Sequence, residues 1–335
     1  MKNKKEVIKM EKILSIGVAA YNVQDYLEEC VNSIVNTDAA RKIELIIVDD
    51  GSRDNTKVIS EKFCEMYPDI IRLVSKENGG WGSTLNSSIA VATGKYFKQL
   101  DADDMFITKN LMSFIDFLEQ TDADIVFSKY QSFSDETGEV IAVIDPFSKG
   151  IPYKGYVKDL PWDILVLMHT IAVKTELLTQ KPINITEHCF YTDVEFVIKA
   201  LNRCKTYAGI DAIIYSYRLD RVGQSVSIEG KRKHYKDHEK ALKENLYFYK
   251  TELCDELKGL VSNRIKRMID YNYEILFILE PNKEHKKMLT EFDMYIKNDF
   301  PEFYDNVGKK VKLLRISKFV LYTCIVKINT KMKSK

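Results

Sequence analysis

The sequence predicts an α/β protein: a doubly wound, mostly parallel sheet flanked by helices, with a helical C-terminal extension. Three observations predict it. Apolar, β-rich runs alternate with helically spaced apolar residues from about residue 13 to 128. Acidic or polar residues follow three of those runs, and beyond about residue 230 the chain turns charge-laced and helical. Strand–helix alternation makes successive strands parallel and gathers ligands at their carboxyl ends.

Each element has its own warrant. ILSIGVAA (13–20) carries no charge, as suits a strand buried on both faces. Leu27, Val31, Ile34 and Val35 then recur at helical spacing. IELIIVDD (43–50) is a second strand. In the helix after it, Asp54 or Asn55 is the expected N-cap and Val58, Ile59, Phe63 and Met66 the expected buried face. IIRLV (70–74) is a third strand, followed by a glycine-rich loop, a helix near residues 83–92 and the strand KYFKQL. A helix around Leu111–Leu118 leads to DIVFS (124–128), and TGEVIAVI reads as a peripheral or antiparallel strand. The expected division is a domain of residues 1–230 and a helical region of 231–335 with a basic amphipathic tail.

Composition narrows the function. At 335 residues, 45% hydrophobic and 30% charged, the chain has material for a substantial core. A net charge of +1 gives no electrostatic reason to expect nucleic acid as a partner. Six cysteines, with no CxxC pair, argue against a zinc site or disulfide framework and fit reduced thiols in a cytoplasm. MKNKKEVIKMEK lacks the apolar segment of a signal peptide, and no apolar run reaches membrane-spanning length. From Val307 to Lys335 there is no acidic residue but many lysines, interleaved with apolar residues. A helix of that composition is expected to lie against an anionic membrane, at the inner face of the cell membrane.

The chemistry sits at the strand ends: Tyr21-Asn22, Asp49-Asp50-Gly51-Ser52 and Asp101-Ala102-Asp103-Asp104. In a parallel sheet these point into one crevice. An Asp-Gly turn after a strand is common, so VDDGS alone is weak evidence. DADD is stronger, because period-two spacing would set Asp101 and Asp103 on one side of an extended segment, where Mg²⁺ or Mn²⁺ suits paired carboxylates. An EF-hand fails at Met105 and Phe106, no GxxxxGK[ST] occurs, and Gly80-Trp81-Gly82 lacks the last glycine of GxGxxG because Leu85 stands there. His169, His188, His234 and His238 show no convincing metal spacing.

These motifs in order, a YN pair, VDDGSRDNT and NGGWGSTLNSSIAVATGKYFKQLDADD, resemble the inverting, non-processive glycosyltransferases of family 2, which have the GT-A fold. YTDVEF (191–196) and YSYRLDRVGQSVS (215–227) resemble that family's acceptor-side elements, so the likeness covers about two-thirds of the chain. It implies a nucleotide-sugar half at about 12–128, an acceptor half at about 129–230, a UDP-sugar donor, an Mn²⁺ or Mg²⁺ cofactor, and a glycan or lipid-linked glycan acceptor. It implies further that Tyr21 flanks the base, that Asp50 accepts from the base and that Asp101 reaches the ribose. Asp103 would hold the metal, and Asn78, Gly79 and Gly80 would lie under the nucleotide. Ala19 stands where the family often has Pro or Thr.

By the same likeness Asp193 is the general base, with Glu195 and Glu187 behind it, although Thr192 replaces the glutamate common before that aspartate. Trp81, Asp104 and His188 are placed as sugar or acceptor contacts. Arg218, Arg221, Gln224 and Ser225 belong to a loop over the diphosphate, where arginine suits forked phosphate contacts. The QxxRW pattern of processive synthases is missing. Two rival readings are a nucleotidyltransferase making nucleotide sugars and a non-catalytic nucleotide-sugar-binding subunit. The first would carry a glycine-rich, basic signature where this chain has AAYNVQDY. Retention of Asp50, Asp101, Asp103 and Asp193 counts against the second.

Overall fold

The computed structural model describes residues 11–220 and 227–333. They form two compact units: residues 11–220 with Leu253–Leu260, and residues 227–252 with 261–333.

The first unit begins as the alternation requires. β1 (Leu14–Ala20) pairs in parallel with β2 (Ile43–Asp49) and with β4 (Tyr96–Asp101), and β3 (Ile71–Ser75) extends the sheet beyond β2. All of β2 and nearly all of β1 is buried, because helices cover both faces. α1 (Leu27–Val35) buries Leu27, Val31, Ile34 and Val35, as its spacing predicts. α2 (Thr56–Met66) does not follow its expected face: Val58 and Met66 are 48% and 59% exposed, and Thr56, Ser60 and Phe63 are inside. Two hydroxyls set that face. Thr56 Oγ1 accepts from Val23 N at 2.8 Å and Ser60 Oγ donates to Thr56 O at 2.9 Å, so small polar residues seat the helix closely. Of the two expected caps, Asn55 holds the N-cap position without a side-chain bond, while Asp54 Oδ1 just before it accepts from Thr56 N at 2.9 Å.

α3 (Trp81–Val91) and α4 (Thr108–Gln120) flank the short β5 (Met105–Phe106). β6 (Ile125–Ser134) runs further than its apolar stretch predicts, because its second half pairs with β7 (Val140–Ile144), antiparallel as expected. β8 (Lys154–Tyr156) and β9 (Ile171–Lys174) follow, then α5 (Thr175–Thr179), α6 (Asp193–Leu201) and the long β10 (Thr206–Leu219). The sheet order is β3-β2-β1-β4-β9-β6-β10-β5, with β7 on β6 and β8 on β10. β9 lies antiparallel between β4 and β6, so a mostly parallel half is joined to a mixed one. Leu14, Ile16, Leu45, Ile47, Val31, Phe114 and Leu118 are among the core residues beneath the strand ends.

The second unit is helical: α7 (Ile228–Lys233), α8 (Tyr235–Thr251), α9 (Lys258–Leu276), α10 (Lys283–Asp299), α11 (Pro301–Tyr304), α12 (Lys309–Ile316) and α13 (Tyr322–Lys333). Its centre carries a buried polar knot. Arg315 Nη2 and Tyr273 OH both donate to Asp293 Oδ1 at 2.7 Å, and the guanidinium lies 3.5 Å from the Tyr304 ring centre. Satisfied in this way, a buried carboxylate is tolerated.

Candidate active site

The carboxyl end of β2 builds a loop. Asp50 is 1% exposed, and its carboxylate takes four hydrogen bonds from the chain just after β3. Oδ1 accepts from Lys76 Nζ at 2.8 Å and Gly79 N at 2.9 Å. Oδ2 accepts from Asn78 Nδ2 at 3.0 Å and Gly80 N at 2.7 Å. A carboxylate has about four acceptor sites, and here all are used. Asp50, the residue expected to accept from a nucleotide base, thus organises the glycine loop. That loop needs its glycines. Gly80 has φ +81°, and a Cβ on Gly82 would stand 2.2 Å from Thr186 O.

The end of β4 carries the acid cluster, and its geometry departs from the extended segment assumed from sequence. Asp104 N donates to Asp101 O at 3.0 Å, so the chain turns at Ala102-Asp103. A turn of that kind brings residues three apart together. The carboxylates of Asp101 and Asp104 converge, and His169, from the segment just before β9, joins them. One ligand atom from each of the three lies within 4.8 Å of the others. Asp103 is not a member of that group. Two carboxylates and an imidazole form a donor set that a divalent cation such as Mn²⁺ accepts, so the residues present fit the metal that the sequence implies.

The rest of the turn is held by the protein. Tyr215 OH donates to Asp104 Oδ2, and Arg218 N donates to Asp104 Oδ1 at 2.7 Å. Burial, then the charges of Asp103 and Asp101, push the Asp104 carboxyl well above the usual carboxylate range. Trp81 Nε1 donates to Asp101 Oδ1 at 2.7 Å, so the first residue of α3 is tied to the end of β4. Lys98, buried in β4, donates to His169 O at 2.7 Å and Ile171 O at 3.1 Å, which fixes the segment presenting His169. Burial lowers the Lys98 ammonium to about 7.

Arg218 is placed differently from its expected position over a diphosphate. It is buried, with Nε on Asp103 O at 2.7 Å, Nη2 on Glu29 Oε2 at 2.6 Å and Nη1 on Asp135. Its guanidinium also sits between the rings of Tyr26 and Phe133, at 5.1 and 4.9 Å. Arg218 braces the acid turn from within. Arg221, Gln224 and Ser225 lie outside the described residues.

The remaining predicted residues fall around these two features. Ala19, at the end of β1, is in register with Asp101, and Tyr21 beyond it is exposed. Asn78 is exposed on the loop, and Gly80 is partly covered. His188, with φ +50°, donates from its N–H to Gly79 O, so the segment before α6 rests on the glycine loop. Asp193 opens α6. Tyr217 registers its nearness to the acid turn: burial raises its phenol, and the charges of Asp104, Asp101, Asp103 and Asp193 raise it further. Glu195 is buried and bound to Thr186 N and Lys199, and Glu187 accepts from Asn86 Nδ2 at 3.1 Å. Sequence reasoning missed His169, Lys98, Tyr215 and Tyr217. Only the two tyrosines left a signal, the period-two YSY of β10 that sets both rings on one face.

A mixed sheet with acids at the ends of its strands, a glycine-rich loop opening a helix and a helix-borne aspartate beside them defines a GT-A-type glycosyltransferase fold. Solved structures share it: S. aureus TarS 1–349 in complex with UDP-GlcNAc (TM-score 0.60, 20% identity, 95% of this chain and 88% of that one). The mannosyltransferase PcManGT of Pyrobaculum calidifontis, solved with GDP-Man and Mn²⁺, is a second (TM-score 0.52, 15% identity, 97% of this chain and 89% of that one). Residues 15–178 match the model of glycosyl transferase family 2, and the chain belongs to that family. Among curated relatives, the glycosyltransferase GlyG of Streptococcus pneumoniae is 34% identical over 38% of this chain. The minor teichoic acid biosynthesis protein GgaB of Bacillus subtilis is 29% identical over 63%. The chain spans less than half the length of these relatives, 42% of the first and 23% of the second.

Proposed function

We propose that the chain is an inverting glycosyltransferase that moves one sugar per encounter from a UDP-sugar to a glycan or lipid-linked glycan in cell-surface polysaccharide synthesis. The observation that carries this is the convergence of Asp101, Asp104 and His169 at the mouth of the sheet. The charges of that turn and of Asp193, which opens α6, act on the same Tyr217. The UDP-GlcNAc bound by TarS supports the donor class, and the role of GgaB in minor teichoic acid biosynthesis supports a cell-surface product.

In this reading Ala19 and Tyr21 flank the base, while the backbone at Asn78–Gly80 passes under the nucleotide. Asp101, Asp104 and His169 would hold the divalent ion, with the half-buried Asp103 on the same turn; the mixed oxygen–nitrogen set favours Mn²⁺ over Mg²⁺. A divalent ion held by these residues would supply stabilisation of the negative charge on a departing diphosphate. Trp81 donates its indole N–H to Asp101 Oδ1 at the edge of that set. Asp193 takes the proton from the acceptor hydroxyl as that oxygen attacks the anomeric carbon from the face opposite the diphosphate. One displacement inverts the centre, so an α-linked donor gives a β-linked product. The reaction is placed at the cytoplasmic face of the cell membrane, where the basic C-terminal region would hold the enzyme beside a lipid-carried acceptor.

The test is release of nucleoside diphosphate from a panel of UDP- and GDP-sugars with Mn²⁺ and a glycan acceptor. Release from a UDP-sugar should depend on the ion and fall by roughly 10²–10⁴ in Asp193→Asn. Unchanged turnover in that variant would remove Asp193 from the role of base. No release from any donor would end the transferase reading.

A further inference from the structure

The second unit ends in a surface that its own core does not explain. α12 and α13 bury Val311, Leu314, Tyr322 and Val326 against the other helices of that unit. Other apolar residues face outward: Ile316 is 81% exposed, Val320 75% and Ile328 59%, with Leu313 and Leu321 also exposed. On α12, positions 309, 312, 313 and 316 recur at three and four residues, so Lys309, Lys312, Leu313 and Ile316 form one stripe. The turn that follows is strained. Lys318 and Phe319 are consecutive non-glycine residues with φ of +47° and +62°, and Ile316 and Val320 stand on either side of them. Exposed Lys309, Lys312, Lys318 and Lys327 lie on the same two helices and the turn between them, and no acidic residue occurs from Val307 to Lys335, although Lys309 also lines a cavity with Asp270 and Glu274 of α9.

Bulky side chains exposed in a row are costly in water unless something covers them. An apolar turn whose own helices carry lysines and no acid matches a surface that offers hydrocarbon just beneath fixed negative charge. We propose that α12, α13 and the turn between them dock on an anionic lipid bilayer, with Ile316 and Val320 entering the headgroup–acyl boundary and the lysines meeting lipid phosphates. No helix among the described residues is long and apolar enough to cross a membrane, so the attachment is peripheral. The strained turn keeps the two apolar side chains outermost. This docking stands apart from the chemistry proposed above, and its test does not depend on sugar transfer.

The experiment is sedimentation of the full chain with vesicles of phosphatidylcholine alone or with roughly 30% phosphatidylglycerol, at low and high salt. Binding is expected only to the anionic vesicles and should weaken as salt rises. Ile316→Glu with Val320→Glu should lower it at least about tenfold. Lys312→Glu with Lys318→Glu should lower it and flatten the salt dependence. All four positions are exposed, so the variants keep the fold, which circular dichroism checks, and diphosphate release in vesicle-free solution should stay unchanged. Equal binding to neutral vesicles, or binding indifferent to both double variants, overturns the proposal. So does a stable dimer in analytical ultracentrifugation that the Ile316/Val320 variant dissociates, since a second copy would then cover the face.

Discussion

Two acidic strand ends stand on either side of β1 in this sheet and have opposite fates. At the end of β2, Asp50 is surrounded by donors: a lysine, an asparagine side chain and two backbone N–H groups satisfy both oxygens. At the end of β4, Asp101, Asp103 and Asp104 share one turn, where burial and then the charges of Asp103 and Asp101 raise the Asp104 carboxyl. Asp104 receives a tyrosine hydroxyl and a backbone N–H, Asp101 an indole N–H, and Arg218 reaches Asp135 and Glu29. One site is a single carboxylate with four donors; the other gathers acids whose charges act on one another. In sequence they look alike, an apolar run closing on Asp-Asp or Asp-Ala-Asp-Asp. The neighbours make the difference: a single acid ringed by donors is scaffold, and acids that converge and raise one another's carboxyl mark a place for a cation.

The largest effect expected from this contrast comes from Asp104→Asn. If the turn exists to hold a cation, diphosphate release should fall by about 10²–10³, and the rise in melting temperature that Mn²⁺ gives the wild type should vanish. A second measurement on the same variant uses pH. The Asp104 carboxyl is held above its ordinary value, so over a range above about pH 4 the native state keeps a proton that the unfolded chain has released. The stability this confers is complete below the ordinary carboxylate value and is lost as pH rises toward the native one. In EDTA, wild-type stability should therefore decline relative to Asp104→Asn as pH increases, and Mn²⁺ should cancel the decline. Parallel pH curves would show that the turn is as settled as the β2 end.

Asp50→Asn tests the other side. An amide at that position keeps one acceptor oxygen and sets an NH₂ group against two of the four donors, while Lys76 loses its counter-charge. Breaking a buried pair in this way should cost about 3 kcal/mol of stability, read by chemical denaturation. The glycine loop should loosen, so the apparent Kd for UDP rises. Full stability in the variant would mean that the loop holds itself, and that Asp50 is freer to meet a ligand than its four bonds indicate.

The contrast also explains what the sequence could show. β1, β2 and β4 were legible because strands covered on both faces read as apolar runs, and the glycine loop and both acid clusters announced themselves by residue type. β9 was not, because four residues of IAVK carry no period and its place between β4 and β6 is a matter of topology. The face of α2 was misread since Thr56 and Ser60 are buried through hydroxyl hydrogen bonds rather than apolar character. Period-two reasoning paired Asp101 with Asp103, but the strand ends at Asp101 and the turn pairs it with Asp104. Arg218 was legible as an arginine near phosphate-binding elements, yet its partners Glu29 and Asp135 lie 189 and 83 residues away. His169 is likewise far from Asp101 in the chain. Long-range partners of this kind decide whether a charge is spent inside the fold or held for a ligand, and no local pattern encodes them.

Trp81→Phe gives the smallest effect and the finest reading of the same question. The substitution keeps an aromatic ring at the start of α3 and deletes the single N–H that reaches Asp101 Oδ1 at 2.7 Å. A neutral hydrogen-bond donor to a carboxylate is worth about 1–2 kcal/mol, so the fold should weaken by no more than that. The interesting sign is in cation affinity. While the indole holds Asp101 in place it also occupies part of the oxygen that a cation would use. If orientation dominates, Mn²⁺ binds less tightly in the variant; if competition dominates, it binds more tightly. Because Asp101 already converges with Asp104 and His169 through the backbone turn, we expect orientation to be largely secured without the indole. The variant should then bind Mn²⁺ up to several-fold more tightly, within the range of one such hydrogen bond, as measured by calorimetry. A clear loss of affinity would make the indole part of what readies the acid turn, and would narrow the difference between the two strand ends.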